Sequence, residues 1–398
     1  MSEIYTMNKM NGRIVLLIAI SMLGPMTLNM FLPALPIMRE DFHISTSITQ
    51  LFISLGMVFF TIGTAVYGFI SDRYGRRPTL LIGLLLYTSG NLVCAFASSV
   101  TLFLIGRSIT TFGGAGVATS IRTTISDVYG LKKSTGVFSW MAVAMVFVPL
   151  VAPTLGGYIT EISSWHWVFI VMSTLGFLAL ISTFMLIKET LSPKEEIKER
   201  QTELSKDIKM VIRSKQWWIY ALLCGIITSI SFAFTSGMPY IGSDIFGLTP
   251  AYYGTWLILG AIGYFLGSMV SARIAEHKTV AFMTTLGASI SLVFSLLLVA
   301  SYYFNFMSLL SIFTTISFVN FGAGLVVPSA MSAAINIKGA PRGATTSMQG
   351  LIHTAIPIFG VQFVGYAYDK TVVPLFMTIL LFAFLSFVIA LIGRRLNL

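Results

Sequence analysis

The chain has 398 residues, of which 56% are hydrophobic and 10% are charged, and its mean hydropathy is +0.85. Soluble domains carry about 25% charged residues, so this composition excludes an ordinary soluble globule. The net charge of +10 does not indicate nucleic acid as a partner, because the basic residues lie in short loops between long apolar runs. Such a distribution is typical of the cytoplasmic side of a membrane protein.

The apolar runs predict membrane-spanning helices. Each is about as long as a helix needs to be to cross roughly 30 Å of hydrocarbon. They are apolar on all sides, which disfavours the alternating strands of a β-barrel. We predict an all-α integral membrane protein with twelve spans, numbered in order: 14–36, 47–70, 79–98, 101–124, 135–159, 167–187, 216–238, 250–272, 279–301, 306–333, 344–366 and 372–393.

The loops predict the orientation of these spans and their grouping. If both termini are cytoplasmic, the opposite side holds only Arg39 and Lys370 as basic residues. The run after Arg13 is too long for a cleaved signal peptide and is expected to be the first span. A mixed-charge segment, 188–215, separates a first six-span bundle (1–187) from a second (216–398). We interpret it as a tether between two mobile bundles; a regulatory role is the alternative.

The loop after span 2 is the most distinctive motif in the chain, because it concentrates charge between two apolar runs. It reads GFISDRYGRRP, and its characteristic residues are Gly68, Asp72, Arg73, Gly75, Arg76 and Arg77. This gate motif closely resembles the loop between helices 2 and 3 of the major facilitator superfamily of transporters. The resemblance implies two pseudo-symmetric six-helix bundles around a central cavity. It further implies that Asp72 faces the start of span 11 near Gly343, within an ion-pair set of Asp72, Arg76 and Asp127.

Span 4 contains two arginines, Arg107 and Arg122, which are costly inside a membrane and therefore candidate functional residues. Arg107 precedes a glycine-rich stretch, and RSITTFGGAG resembles the superfamily's fourth-helix arginine motif, which is tied to proton coupling in drug exporters. We therefore assign both arginines to coupling. The alternatives are a structural hydrogen-bond hub for Arg107 and snorkelling toward the surface for Arg122.

Span 5 combines two prolines with two glycines: Pro149, Pro153, Gly156 and Gly157. Together they predict a kinked helix with a smooth packing face. The motif resembles the antiporter signature of drug–proton exchangers, in the form found in Bcr/CflA-type exporters. Segments 31–36, 165–169 and 327–331 resemble that subfamily too. The resemblance implies export of drugs or metabolites by proton antiport from a bacterial inner membrane, antibiotic resistance among its consequences, and a monomer. A plain kink is the alternative.

The chain departs from the subfamily at Asn29, where an aspartate, a candidate proton carrier, is common. Asparagine cannot titrate, and no other acid lies in the middle of a span. His353 in span 11 is the remaining mid-span group that titrates near neutral pH. We therefore assign His353 to coupling as well as to binding; a structural histidine is the alternative. A metabolite importer or uniporter without proton coupling is the alternative function.

The expected cavity lies near the membrane midplane, between the two halves. Its candidate substrate-binding residues are aromatic or polar residues of inner spans: Asn29, Trp140, Phe232, Phe234, Trp256, Asn320, Gln349 and His353. For each aromatic residue, lipid contact or helix packing is the alternative. With no carboxylate nearby, an anionic, zwitterionic or neutral substrate is expected. We find no catalytic, phosphate-binding or metal-ligand motif, so we expect no enzyme, cofactor or metal site; a membrane enzyme or a channel are the competing classes.

Overall fold

The computed structural model describes residues 12–190, 208–275, 277–337 and 342–396. Within these ranges, the side chains of 13, 72, 126, 129–140, 142–146, 150 and 342–344 are outside the description. The predicted binding residue Trp140 and the gate residue Asp72 are in this group. The described residues form helices and no strands, which confirms the all-α fold class.

Eleven helices of the described residues are long and apolar enough to cross a membrane, and a shorter apolar helix covers Phe147–Ile162. Span 1 consists of Gly12–Ser21, Leu23–Asn29, a 3₁₀ turn at Leu32–Ala34, and Leu35–Asp41. The remaining helices are Thr46–Tyr74, Arg76–Ala95, Val100–Ile162, Trp165–Leu186, Lys215–Asp244, Pro250–Ile274, Val280–Tyr303, Leu309–Ile335, Arg342–Ala367 and Val373–Arg395.

Span 1 is broken where prolines interrupt the backbone ladder. Pro33 lies in the 3₁₀ turn and Pro36 in the first turn of the helix Leu35–Asp41. Proline lacks the N–H that an uninterrupted helix requires, so the chain restarts rather than continues. The restart carries the span to Asp41, five residues beyond the predicted end at 36.

Spans 4 and 5 form one element of 63 residues, Val100–Ile162, instead of two helices with a loop at 125–134. A straight helix of that length would extend for about 95 Å, three times the membrane core. Its two ends nevertheless meet, because the rings of Phe103 and Trp165 are only 5.8 Å apart. The chain must therefore reverse direction inside this element, so that 100–125 and 147–162 run as two antiparallel arms. We keep the names span 4 and span 5 for these arms.

Serine and threonine residues begin most of the helices, which explains why the sequence locates the loops well. Ser45, Ser99 and Ser164 each accept a hydrogen bond from a backbone N–H of the first turn. Thr249 and Ser308 do the same in the second half, and Ser308 forms a reciprocal capping box with Ser311. Such caps satisfy N–H groups that have no partner within the helix.

The apolar side chains form two separate cores. The first extends from Leu17 to Ile187 and includes only Tyr240 and Val361 from the second half. The other extends from Val211 to Ala390. Two cores on either side of the linker accord with two bundles, and the exact boundaries at 187 and 216 stay a prediction.

Candidate functional site

The two halves are joined at one end of the molecule by an ion pair between span 1 and span 7. Arg39 donates from both Nη atoms to the two carboxylate oxygens of Asp244, each at 2.8 Å. The hydroxyl of Tyr368 donates to the same carboxylate at 2.9 Å, and the Arg39 guanidinium lies 5.4 Å from the Tyr240 ring centroid. A bidentate arginine–carboxylate pair combines charge with fixed geometry. We call this end of the molecule the Arg39 end.

Tyr368 belongs to a connecting segment between spans 11 and 12, beyond the helix that ends at Ala367. The pKa of Tyr368 is raised above the ordinary value of a phenol, mainly because the hydroxyl is buried and also because it donates a hydrogen bond to Asp244. The hydroxyl therefore keeps the proton that it donates to Asp244 throughout the physiological pH range. The ion pair gains a neutral third member that does not compete with Arg39.

Span 2 continues the contact between the halves toward the middle of the molecule, where it bonds to spans 7 and 11. Gln50 donates to the carbonyl of Ser236 in span 7 at 2.8 Å, and Ser54 donates to Gln362 Oε1 in span 11 at 3.0 Å. Deeper still, the hydroxyls of Thr61 and Thr354 are 2.8 Å apart. These contacts repeat along one face of span 2, so about half of its length is joined to the second half of the molecule.

Spans 5 and 8 make the second close contact between the halves, through glycine. A Cβ on Gly157 would lie 2.7 Å from the carbonyl carbon of Pro250, and one on Gly254 would lie 2.7 Å from the carbonyl oxygen of Pro153. Thr154 donates to the Gly254 carbonyl at 3.0 Å. Real Cβ atoms do not approach that closely, so the crossing depends on the absence of side chains at both glycines.

The remaining residues of the span 5 motif shape the same region. Gly156 faces span 1, where a Cβ would lie 2.7 Å from the carbonyl carbon of Met30. Pro149 and Pro153 lie inside the helix, as predicted. Gly156 therefore packs against span 1 of the same half, whereas Gly157 packs against span 8 of the other half.

The gate motif lies at the opposite end, which we call the Arg76 end. Arg76 Nε donates to Asp127 at 2.9 Å, and Arg76 Nη1 donates to Ser71 Oγ at 2.9 Å. Arg77 donates to the carbonyl of Phe184 at 2.8 Å, and Arg73 is exposed. The ion pair expected between Arg76 and Asp127 is therefore present, and these partners belong to the first half.

The turn inside the gate motif depends on Gly75 and on a residue that the sequence did not indicate. Gly75 has a φ of 107°, in the region that favours glycine, and a Cβ there would clash with the carboxylate of Glu189. Glu189 accepts from the backbone N–H groups of Arg76 and Arg77, at 2.9 and 3.2 Å. A carboxylate at the start of a helix stabilises the unpaired N–H groups there.

The described hydrogen bonds between the halves end midway along span 2. The described hydrogen bonds between the halves all lie between the Arg39 end and the Thr61–Thr354 pair. Farther along span 2, a Cβ on Gly68 would have nothing within 4 Å, and the same holds for Gly350 on span 11. Neither Gly68 nor Gly350 therefore packs closely against a described neighbour.

Arg107 is fully buried and joins three spans of the first half. Its Nε donates to the carbonyl of Phe52 at 3.1 Å and its Nη1 to the carbonyl of Thr27 at 3.0 Å. The ring of Phe31 lies 4.2 Å from the guanidinium carbon, within the range of a cation–π contact. This is the geometry of the hydrogen-bond hub. Arg122, by contrast, is exposed.

His353 is half-buried and contacts Thr228 of span 7, with 3.1 Å between Nε2 and the hydroxyl oxygen. Thr228 also donates to the carbonyl of Cys224 at 2.8 Å. Because a hydroxyl has one hydrogen and Thr228 donates it to Cys224, we assign His353 Nε2–H as the donor of the other contact. This assignment leaves Nδ1 of the neutral ring as the acceptor that can take up a proton.

The other predicted binding residues divide into partly accessible and buried groups. Asn29 is half-buried and donates to the Pro25 carbonyl at 2.8 Å, a bond that an aspartate could not donate. Phe232 is half-buried and packs against the core of the first half. Gln349 is fully buried, and its amide has no hydrogen-bond partner among the described residues. The binding roles of these residues stay predictions.

Three further predicted binding residues hold the second half together. Phe234 packs edge-to-face on Phe313, whose ring also stacks on Trp256. Asn320 accepts from Ser231 at 2.7 Å and donates to the carbonyl of Gly260 at 3.2 Å. Spans 7, 8 and 10 therefore meet around these side chains.

Sequence reasoning missed the residues that join the halves, above all Arg39, Asp244 and Tyr368. A signal was available for the first two. They are oppositely charged, lie in different halves, and occur at the same predicted membrane level, at the ends of spans 1 and 7. The polar contacts of Gln50, Ser54 and Gln362 gave no comparable signal, because isolated polar residues in apolar spans are common.

A bundle of membrane-spanning helices in two halves, joined by hydrogen bonds at one end, is an architecture of solute carriers. A model of the family described as Major Facilitator Superfamily matches residues 17–361. The chain therefore belongs to the major facilitator superfamily, and it is a transporter rather than an enzyme.

Individual proteins show the same likeness. The uncharacterized MFS-type transporter YdgK of Bacillus subtilis is 27% identical over 338 residues, covering 84% of this chain and 83% of that protein. A bicyclomycin resistance protein homolog of Haemophilus influenzae is 26% identical over 272 residues, covering 68% and 66%. A crystal structure of a bacterial homolog of the human lysosomal transporter Spinster, inward-facing and unoccupied, superposes with a TM-score of 0.78 at 13% identity, covering 96% of each chain.

Proposed function

We propose that this protein exports small organic molecules, drugs or a metabolite, from the cytoplasm of a bacterial cell by alternating access and proton antiport. One observation carries the proposal. The described hydrogen bonds between the halves extend from the Arg39 end to the Thr61–Thr354 pair, and beyond it a Cβ on Gly68 or on Gly350 would have no atom within 4 Å. Seven residues of helix, about 10 Å, separate Thr61 from Gly68. A cavity that begins near the midplane and opens at one end is one of the two states that alternating access requires.

The charge distribution supports placing the Arg76 end and both termini in the cytoplasm. That end holds the gate-motif arginines and the start of the mixed-charge linker, whereas the Arg39 end has few basic residues. With this orientation the cavity opens to the cytoplasm of a bacterial inner membrane. The gate motif would then close the cytoplasmic side in the alternate state, when spans 2 and 11 approach each other at Gly68.

Export, rather than uptake, is supported by the span 5 motif and by a relative. The relative from Haemophilus influenzae is named a bicyclomycin resistance protein homolog, and resistance to an antibiotic is consistent with efflux. Glycine-mediated contact between spans 5 and 8 gives the kinked helix a role at the interface of the halves. Antibiotic resistance would follow if the substrates include drugs, and a monomer has both halves that the cycle needs.

Proton coupling is assigned to His353. Its Nε2–H is committed to Thr228, and Nδ1 is left to bind a proton without breaking that contact. Histidine titrates near neutral pH, so it can gain and lose a proton across the pH difference that exists at a bacterial membrane. Its neighbour Thr354 bonds to Thr61 across the halves, so the proton site lies one residue from a contact between them.

The substrate class follows from the missing carboxylate. All 15 acids of the sequence lie at span ends or in loops, so a lipophilic cation would find no counter-charge at midplane. We propose a neutral, zwitterionic or anionic substrate. Comparing transport of a cationic dye with that of an uncharged drug tests this, and efflux of cations alone would contradict it.

The decisive experiment is substrate-driven proton movement in proteoliposomes that contain a pH-sensitive dye. Wild type is compared with His353→Gln and with His277→Gln, a matched control in an exposed loop. We expect substrate to drive proton movement in wild type and in the control, and His353→Gln to abolish it while substrate exchange continues. Thr228→Val should shift the pH dependence without abolishing proton movement, because it removes only the neighbour of the proton site.

The alternative function is a uniporter or metabolite importer without proton coupling. Asn29 favours it, because the residue cannot titrate and its amide is used locally on Pro25. Substrate flux without any proton signal, equal in wild type and His353→Gln, would establish this alternative and overturn the assignment of His353.

A further inference from the structure

The helix of span 8 begins at the interface between the halves, and the N–H groups of its first turn have separate partners. Pro250 is the first residue of this helix and has no N–H. The N–H of Tyr252 donates to the hydroxyl oxygen of Thr249, the residue before the helix. The N–H of Ala251 donates instead to Glu161 Oε2 at 3.2 Å, and Glu161 belongs to span 5 of the first half. The start of a helix in one half is therefore capped by a carboxylate from the other half.

Glu161 lies on the face of span 5 that crosses span 8. Thr154 and Gly157 share that face with Glu161, because the three residues follow one another at intervals of three and four. Thr154 donates to the carbonyl of Gly254, and Gly157 packs against the backbone of Pro250. The glycine contact brings the Glu161 carboxylate to the start of span 8. The carboxylate therefore reaches its partner only while the two spans are packed together.

The contact between Glu161 and span 8 is favourable but reversible. The N-terminus of a helix carries a partial positive charge, which attracts a carboxylate. Glu161 is exposed, so forming the contact does not require the costly removal of its charge from water. When spans 5 and 8 separate, water replaces the carboxylate as the partner of the Ala251 N–H. The energy lost on separation is therefore that of the charge at the helix start, which is small enough for the contact to form and break in every transport cycle.

The Arg39–Asp244 pair joins the halves at the same end, with the opposite polarity. There the first half supplies the positive group and the second half supplies the carboxylate. At span 8 the first half supplies the carboxylate of Glu161, and the second half supplies the positive start of a helix. The two contacts lie on different pairs of helices, spans 1 and 7 and spans 5 and 8. Together they oppose rotation of one half against the other as well as separation.

We infer that Glu161 is a gating residue, whose carboxylate forms a second electrostatic lock that stabilises the closed Arg39 end. The lock acts only in the state in which spans 5 and 8 touch, so it shifts the balance between the two states of the transport cycle. The inference rests on alternating access, which is part of the proposed function, and not on the direction or the coupling of transport.

The test is the distance between spin labels across the Arg39 end of the purified full-length protein. Labels at the exposed positions Ser98 and Phe306 lie on loops of different halves at this end. Glu161→Gln keeps an acceptor oxygen but removes the charge, and Glu161→Lys reverses the charge. We expect the ratio of long to short distances to rise about two- to fivefold in the glutamine variant, the size of a charge effect at a helix end, and further in the lysine variant. High salt should reduce the difference between wild type and Glu161→Gln, because exposed charges are screened.

Two further variants separate failure of the lock from failure of alternating access. Asp41→Asn is the matched control, because Asp41 is an exposed acid at the same end that accepts from Trp165 of its own half, and it should leave the distances unchanged. Asp244→Asn, which breaks the pair with Arg39, should lengthen them. If it does so while both Glu161 variants behave as wild type, the lock is refuted and alternating access stands. A single distance in every variant would contradict alternating access and the lock with it.

Thermal unfolding of the same variants distinguishes a gating role from a purely structural cap on span 8. A gating residue changes the distances and leaves the unfolding midpoint of Glu161→Gln close to that of wild type. A lower midpoint in Glu161→Gln with unchanged distances would make Glu161 a structural cap only and would overturn the inference.

Discussion

Substitution of Gly157 by alanine tests whether glycine contact between spans 5 and 8 holds the Arg39 end closed. The added Cβ would lie 2.7 Å from the carbonyl carbon of Pro250 and 2.9 Å from the Cα of Ala251. Both are backbone atoms, which cannot rotate away, so the helices must separate. Overpacking of this kind costs about 1–3 kcal/mol. This destabilisation affects only the conformation in which spans 5 and 8 touch. The equilibrium between this conformation and the alternate state should therefore shift toward the alternate state by about five- to 150-fold.

Spin labels report the shift directly. The two native cysteines are buried, so single cysteines at the exposed positions Ser98 and Phe306 can be labelled selectively. We expect Gly157→Ala to lengthen the distance across the Arg39 end. Gly242→Ala is the matched control, because it is also in a helix near this end but its Cβ would meet no atom closer than 3.5 Å. Identical distance distributions for wild type and both variants would refute the steric reasoning.

Three further outcomes are expected. Asp244→Asn should destabilise the closed Arg39 end by about 1–3 kcal/mol, because it removes a charge-assisted bidentate pair. The double variant that exchanges Arg39 and Asp244 should restore much of this stability. Distances between spin labels across the Arg39 end measure the effect of each variant. Gly75→Ala should lower the unfolding midpoint, since the backbone there has a φ of 107° and Glu189 occupies the space of a Cβ. Arg107→Lys should also lower the midpoint, because a single ammonium cannot reach both carbonyls with the geometry of the guanidinium, and an unchanged midpoint would argue against a hub.

The sequence was sufficient for the fold because membrane helices are specified locally. Continuous apolar runs, serine and threonine caps and charged loops each act over a few residues, so the spans and the family could be predicted. The reversal between spans 4 and 5 was predicted too, although the structure assigns 100–162 to one element. The predicted span 1 was too short. A proline can indicate either the end of one helix or the first turn of the next, and Pro36 lies in the first turn of the helix Leu35–Asp41.

The interface between the halves could not be predicted, because its partners are far apart in the chain. Arg39 and Asp244 are 205 residues apart, and Thr61 and Thr354 are 293 apart. Glu189 was assigned to the tether on its charge, whereas it caps the helix that begins at Arg76. Arg107 shows the same limit: its motif marked it as functional, but its bonds to two main-chain carbonyls depend on how three helices pack.

The Thr61–Thr354 contact lies close to the middle of span 2. From Thr61, span 2 extends 15 residues to its start at Thr46 and 13 residues to its end at Tyr74, which correspond to arms of about 22 and 20 Å. Rotation of span 2 about this contact displaces its two ends by nearly equal amounts. Opening of one side is therefore accompanied by closure of the other. A continuous pore would require the Thr61–Thr354 contact itself to break.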